Sequence, residues 1–190
     1  MMVFLILAPY AAFTLLMLVS SPAPSLFAAA AICLMVIGYD VLGGRSVKLL
    51  GASSAILFAS LGGYLTLINP TLGIPAVKLT VDCGMLAIAL LSLAIRRPFT
   101  LQYALEVVDA QTAGLPGFLA ANYIITAVWT LAFLLMLMAN ILMIYLPGMP
   151  LWSGLAIAFA ARNTALYFTA WYPRYRRAKV AASGGALSGC

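Results

Sequence analysis

The chain has 190 residues, 65% of them hydrophobic and 7% charged, with a mean hydropathy of +1.12 and a formal net charge of +6. Soluble domains carry about a quarter charged residues, so this composition excludes an ordinary water-soluble fold and points to a bilayer. Histidine is absent, which removes His-based triads, imidazole metal sites and the usual haem ligation.

In chain order, the apolar runs predict six membrane spans at about 1–19, 26–42, 49–68, 76–95, 118–146 and 150–172, each long enough for about 30 Å of hydrocarbon. The first run is followed by small residues around Ala23 but lacks the basic n-region of a secretory signal, so it is expected to remain as a helix. It ends at Ser20-Ser21-Pro22-Ala23-Pro24-Ser25, a break without charge.

The second run ends at Gly43-Gly44-Arg45-Ser46-Val47-Lys48, a basic break. Asp40, just before it, reads as an interfacial carboxylate. In the third run Gly51, Ala55, Ala59 and Gly63 recur at every fourth position, a small-residue stripe where another helix is expected to approach closely.

After the uncharged break Asn69 to Pro75, the fourth run carries Lys78 and Asp82 one turn apart. They and Arg162, near the middle of the sixth run, form the expected intramembrane polar cluster, because a charge at the bilayer centre costs about 2.5–3.5 kcal/mol and faces a partner or a cavity. Asp82 and Arg162 are expected to pair. Either the three residues neutralise one another structurally, or they line a polar cavity for a headgroup, ion or proton.

Arg96-Arg97-Pro98 closes the fourth run, and the polar excursion from Pro98 to Gly117 predicts a short interfacial helix over 98–117. At helical spacing Gln102, Glu106 and Asp109 share a narrow face, a candidate docking surface for a cytoplasmic partner. No nucleophile or base accompanies the two carboxylates, which argues against catalysis. Asn122 and Asn140 in the fifth run can hydrogen-bond between helices. Trp152, Trp171, Tyr172 and Tyr175 stand near the ends of the sixth, where aromatic anchors sit.

Basic and uncharged breaks alternate strictly, so the positive-inside rule places both termini and the basic breaks in the cytoplasm. The fold class is therefore an all-α polytopic bundle of six spans. It forms one integral domain over 1–178, with a flexible cytoplasmic tail at 179–190. Cys33, Cys83 and Cys190 give no disulfide or metal framework, and no phosphate loop or dinucleotide fingerprint occurs. No metal, cofactor or nucleic acid is expected. Anionic lipid headgroups are the expected counter-charge, and the oligomeric state is open.

Several short motifs resemble the bacterial intracellular septation protein A family of small inner-membrane proteins. They are Gly62-Gly63 with Thr66-Leu67, then Lys78-Leu79-Thr80-Val81, then Arg96-Arg97-Pro98. Trp129 before Ala139-Asn140, Leu146-Pro147 and Trp152 follow in the same order, so the resemblance covers roughly residues 5–155. The Lys78-to-Pro98 interval is slightly shorter, and the segment around Arg162 and the basic tail differ. The resemblance implies a non-enzymatic role in septation or envelope maintenance in the bacterial inner membrane, through membrane partners. The alternative from the residues themselves is a small transporter or lipid-handling protein using Lys78, Asp82 and Arg162.

Overall fold

The computed structural model describes residues 2–146, 148 and 151–185. It is all-α: α1 Met2–Val19, α2 Pro22–Leu42, α3 Leu49–Leu67, α4 Ile74–Ala94, α5 Phe99–Leu105, α6 Ala110–Ala113, α7 Pro116–Tyr145 and α8 Leu151–Gly185, with no strand among the described residues. Helices start where sequence chemistry allows. Proline occupies the first turn of α2, α4 and α7, where its missing N–H costs nothing. For that reason α2 begins at Pro22 rather than the expected 26.

The two basic breaks share one device. At the end of α2, Gly44 has φ +71° and Arg45 N–H donates to the Asp40 carbonyl (2.8 Å). At the end of α4, Arg96 has φ +56° and Arg97 N–H donates to the Ser92 carbonyl (3.0 Å). Both are left-handed caps that satisfy otherwise orphaned carbonyls; glycine adopts the conformation freely, whereas an arginine there costs about 1–2 kcal/mol.

Consecutive helices α1 to α4 pack as neighbours; α4 then packs on α7, and α7 on α8. The short α5 lies against α7 and touches α3 and α4, and α6 touches α7. The core is aliphatic and aromatic: Phe13 meets Phe58 at 5.6 Å between ring centroids, Trp129 meets Phe133 at 5.8 Å, and Leu26, Val77 and Val81 are sealed from solvent.

Four helices are long and apolar enough to cross a membrane: Pro22–Leu42, Leu49–Leu67, Ile74–Ala94 and Gly117–Tyr145. Within the described residues α1 adds a shorter apolar stretch, Ala8–Val19. The bundle's outside is as apolar as its inside, with Leu34, Ile56, Leu91 and Leu131 all exposed, which only a hydrocarbon solvent accommodates. The last helix does not stop before Pro173. It carries the proline internally and runs to Gly185, so 179–185 of the expected tail are helical, while 186–190 lie outside the described residues.

The small-residue stripe on α3 is only half used. Ala55 is buried and Gly51 lies in ordinary contact distance of Ile37, but Ala59 is exposed and a Cβ on Gly63 would meet nothing within 4 Å. The reason is geometric: with 3.6 residues per turn, an every-fourth-residue row drifts about 40° per step. Close approach occurs instead at Gly62, where a Cβ would lie 3.2 Å from the Phe27 ring, and at Gly84, where it would lie 2.6 Å from Leu57.

Gly84→Leu is therefore expected to wedge α3 from α4 and to cost about 1–3 kcal/mol of stability, with Leu57→Ala in the same chain returning most of it. Unfolding in mild detergent measures both. A Gly84→Leu protein as stable as its parent would contradict this packing.

Candidate functional site: a cationic apolar cavity under a tethered carboxylate

Asp82 sits on the buried face of α4 with Val77, Val81, Met85 and Ala89 and is 3% exposed. Its two carboxylate oxygens are taken by neutral donors from two other helices: the Tyr10 hydroxyl of α1 donates to Oδ1, and the Asn140 amide of α7 donates to Oδ2. One side chain thus ties α1, α4 and α7 together. Among the described residues Asp82 forms no ion pair with Arg162 or with Lys78, so the expected Asp82–Arg162 pair is not formed, while the Lys78 charge still acts on Asp82. The Asp82 oxygens accept from α1 and α7 instead, and Arg162 belongs to α8, which packs chiefly on α7. Lys78 is half-buried one turn away.

Arg162 lines a partly open cavity of about 920 Å³ between α5, α7 and α8, with Tyr10 and Met85 at its wall. Its lining is dominated by apolar groups, among them Phe118, Ile125, Trp129, Phe133 and Met136 of α7. These recur at spacings of three, four and seven, so one stripe of α7 supplies the wall. The indole N–H of Trp129 donates to the Thr169 hydroxyl across the α7–α8 seam (3.0 Å), and that hydroxyl donates to the Ala165 carbonyl (2.7 Å).

On α8 the cavity is lined by Arg162, Thr169, Pro173, Arg176 and Arg177. Spacings of seven, four and three put Arg162, Thr169, Pro173 and Arg176 on one helix face. Arg162 and Arg176 are fourteen residues apart, roughly 21 Å along the axis at 1.5 Å per residue. Gly117 makes room at the second position, since a Cβ there would lie 2.8 Å from Arg176 Nη2. Among the described residues none of these three guanidiniums is in an ion pair. Sequence reasoning treats Arg176 and Arg177 only as topology markers. Their shared face with Arg162 is hidden as long as Pro173 is read as the helix end.

A second polar assembly closes the end of the bundle that holds the basic breaks. Lys48, with 5% of its side chain exposed, meets Asp40 and, at 3.2 Å, Glu106; Arg45 reaches Asp40 at 3.5 Å. The Lys48 ammonium also lies 5.3 Å from the centre of the Tyr103 ring, a cation–π distance. Neither Glu106 oxygen has a hydrogen-bond partner, so the contact with Lys48 is an ion pair without alignment. Gln102 Oε1 accepts from Leu49 N–H (2.6 Å) and satisfies a donor at the start of α3 that Lys48, as N-cap, leaves unmet.

The face expected for Gln102, Glu106 and Asp109 is thereby divided. Gln102 and Glu106 turn inward onto the α2–α3 loop. Asp109 stays in solvent and caps α6 by accepting from Thr112 N–H (2.6 Å), which holds its carboxyl below the ordinary range. Helical periodicity identifies the shared face of α5 but not its direction, which the buried ammonium of Lys48 decides.

Between the two assemblies stand Tyr10, Leu50, Met85 and Tyr103, which line both the large cavity and a small pocket of about 40 Å³ beside Asp40 and Lys48. Among the described residues no three His, Cys, Asp or Glu side chains converge as a metal site. Compared with family models, with curated proteins and with solved structures, the chain matches none.

Burial pushes the Tyr103 phenol well above its ordinary value of 10.0, and the charges of Asp40 and Glu106 add to the effect. The stability tied to its neutral form is therefore complete below pH 10 and is lost as pH rises towards the raised folded value, because only the unfolded chain ionises at the ordinary value. Tyr103→Phe is expected to flatten the alkaline loss of stability between about pH 10 and 12, read by unfolding in detergent. An unchanged alkaline slope would show that Tyr103 does not carry it.

Proposed function

We propose that this chain is a six-span protein of the bacterial inner membrane that takes an amphiphilic molecule into the cavity between α5, α7 and α8, as a lipid-handling protein or small transporter. In this reading α1 and α8 join the four long apolar helices as spans, both termini lie in the cytoplasm, and α5 and α6 rest at the cytoplasmic interface. The alternation of basic and uncharged breaks supports that orientation.

One observation carries the reading. A cavity of about 920 Å³ falls at the upper end of the range for small-molecule sites, and its apolar wall, with cations at both ends of one helix face, suits a molecule that is oily along its length and polar at one end. The Asp82 network meets the cavity wall through Tyr10. Septation or envelope maintenance through partner proteins, the role the motif resemblance implies, rests on those motifs alone and ranks behind this reading.

Ala121, a buried lining residue, offers the test. Ala121→Trp fills the cavity from the α7 wall, and lipid extracted from the purified protein and quantified by mass spectrometry is expected to fall to a small fraction of the parent's. Equal lipid content in two equally folded proteins would remove the reading. Cysteine labelling in intact cells is expected to place the exposed positions 46 and 178 in the same compartment; opposite sides would overturn the topology.

A further inference from the structure

The amphiphile's polar end follows from the guanidiniums. Resting on the lipid-handling reading above, we propose that the cavity binds an anionic phospholipid by its phosphate, with Arg176 and Arg177 as a rim subsite and Arg162 as a deep subsite on the same face of α8.

Three observations support it. First, Arg162, Arg176 and Arg177 all line the cavity, and none has a carboxylate in ion-pair reach among the described residues. Second, among the described residues Asp82 makes no ion pair with Arg162, and its two oxygens accept from Tyr10 and Asn140 instead. A cation at membrane depth with no protein anion against it is favourable only when something else brings the negative charge. Third, the missing side chain at Gly117 lets Arg176 Nη2 approach α7 closely, beside the apolar stripe formed by Phe118, Ile125 and Trp129.

The chemistry of the head follows from the donor type. A guanidinium presents a planar fork that matches the oxygens of a phosphate in two parallel hydrogen bonds, and two neighbouring arginines at the rim suit a head with several acceptor oxygens. A choline or ethanolamine head brings its own cation, which competes with the arginines for the phosphate. A net-negative phosphate head has no such competitor. The wall between the subsites offers Asn122, Thr100 and Thr169 but no charge, so the stretch between them suits acyl chain and either end suits the head, whose single phosphate occupies one subsite at a time.

The test uses the full chain in mild detergent, with binding followed by native mass spectrometry and by titration. The probes are phosphatidylglycerol, phosphatidylcholine, oleate and inorganic phosphate. Phosphatidylglycerol is expected to bind tightest. Arg162→Gln is expected to weaken it about tenfold to a hundredfold, the effect of losing a charge-assisted hydrogen-bonded contact. Arg162→Lys, which keeps the charge and loses the fork, should fall between.

Arg176→Gln with Arg177→Gln, at a rim where Arg177 is exposed and Arg176 half-buried, should weaken binding as well, with unfolding in detergent checking that the fold is kept. That loss should shrink as salt rises, because exposed charges are screened and deep ones much less so. Equal affinity for phosphatidylglycerol and phosphatidylcholine, with all arginine variants neutral, would overturn this inference and leave lipid handling standing. Oleate binding as tightly as phosphatidylglycerol would overturn the phosphate assignment. Inorganic phosphate competing on equal terms would overturn the lipid as its source. Binding of no lipid at all would overturn the proposed function itself.

Discussion

A charged or strongly polar group inside hydrocarbon has to be answered from within the protein or by a ligand, and the placement of this chain's few polar side chains follows from that constraint. Asp82 is answered by a phenol and an amide, Lys48 by two carboxylates and an aromatic ring. Each of these assemblies joins elements that are far apart in sequence. Tyr10 and Asp82 are separated by 72 positions and Asn140 and Asp82 by 58. Dispersion between apolar helices in lipid is weakly specific because the tails pack as well as side chains do. Polar tethers of this kind fix which helix lies beside which.

The same constraint produces two contrasting polar assemblies. At the end with the basic breaks, opposite charges meet one another: the buried Lys48 faces Asp40 and Glu106, and Gln102 fills the unmet donor at the start of α3. Breaking such a group by removing one partner strands a buried charge, which is far costlier than never having had the pair. Along α8 the arrangement is the reverse: among the described residues three cations line a shared cavity with no carboxylate in ion-pair reach. One assembly pairs its charges within the protein and the other does not.

Much of the architecture was legible in the sequence because proline and glycine punctuate it so clearly. The starts of α2, α4 and α7 and the turns at Gly43-Gly44 and Arg96-Arg97 all fall where that chemistry puts them. The errors have physical causes. Pro173 reads as a stop, yet α8 absorbs it and continues, so the register linking Arg162 to Arg176 is invisible from the sequence. Tyr10 looks like one more apolar residue of the first run, since nothing local signals that its hydroxyl meets a carboxylate three helices later. The face expected for Gln102, Glu106 and Asp109 divides, because a period of 3.6 says which residues of one helix look the same way and not which way they look, and Asp109 falls outside α5.

Pro173 has a mechanical side. Having no N–H, it leaves one rung out of the α8 ladder, and its ring crowds the carbonyl one turn back; that carbonyl belongs to Thr169, whose hydroxyl is already held by Trp129. Ahead of this point the Trp129–Thr169 bond joins α8 to α7. Arg176 comes after it and still packs against Gly117 of α7. The missing rung therefore lies between two fastened stretches of one helix, and the face that carries Arg162 and Arg176 stays continuous across it.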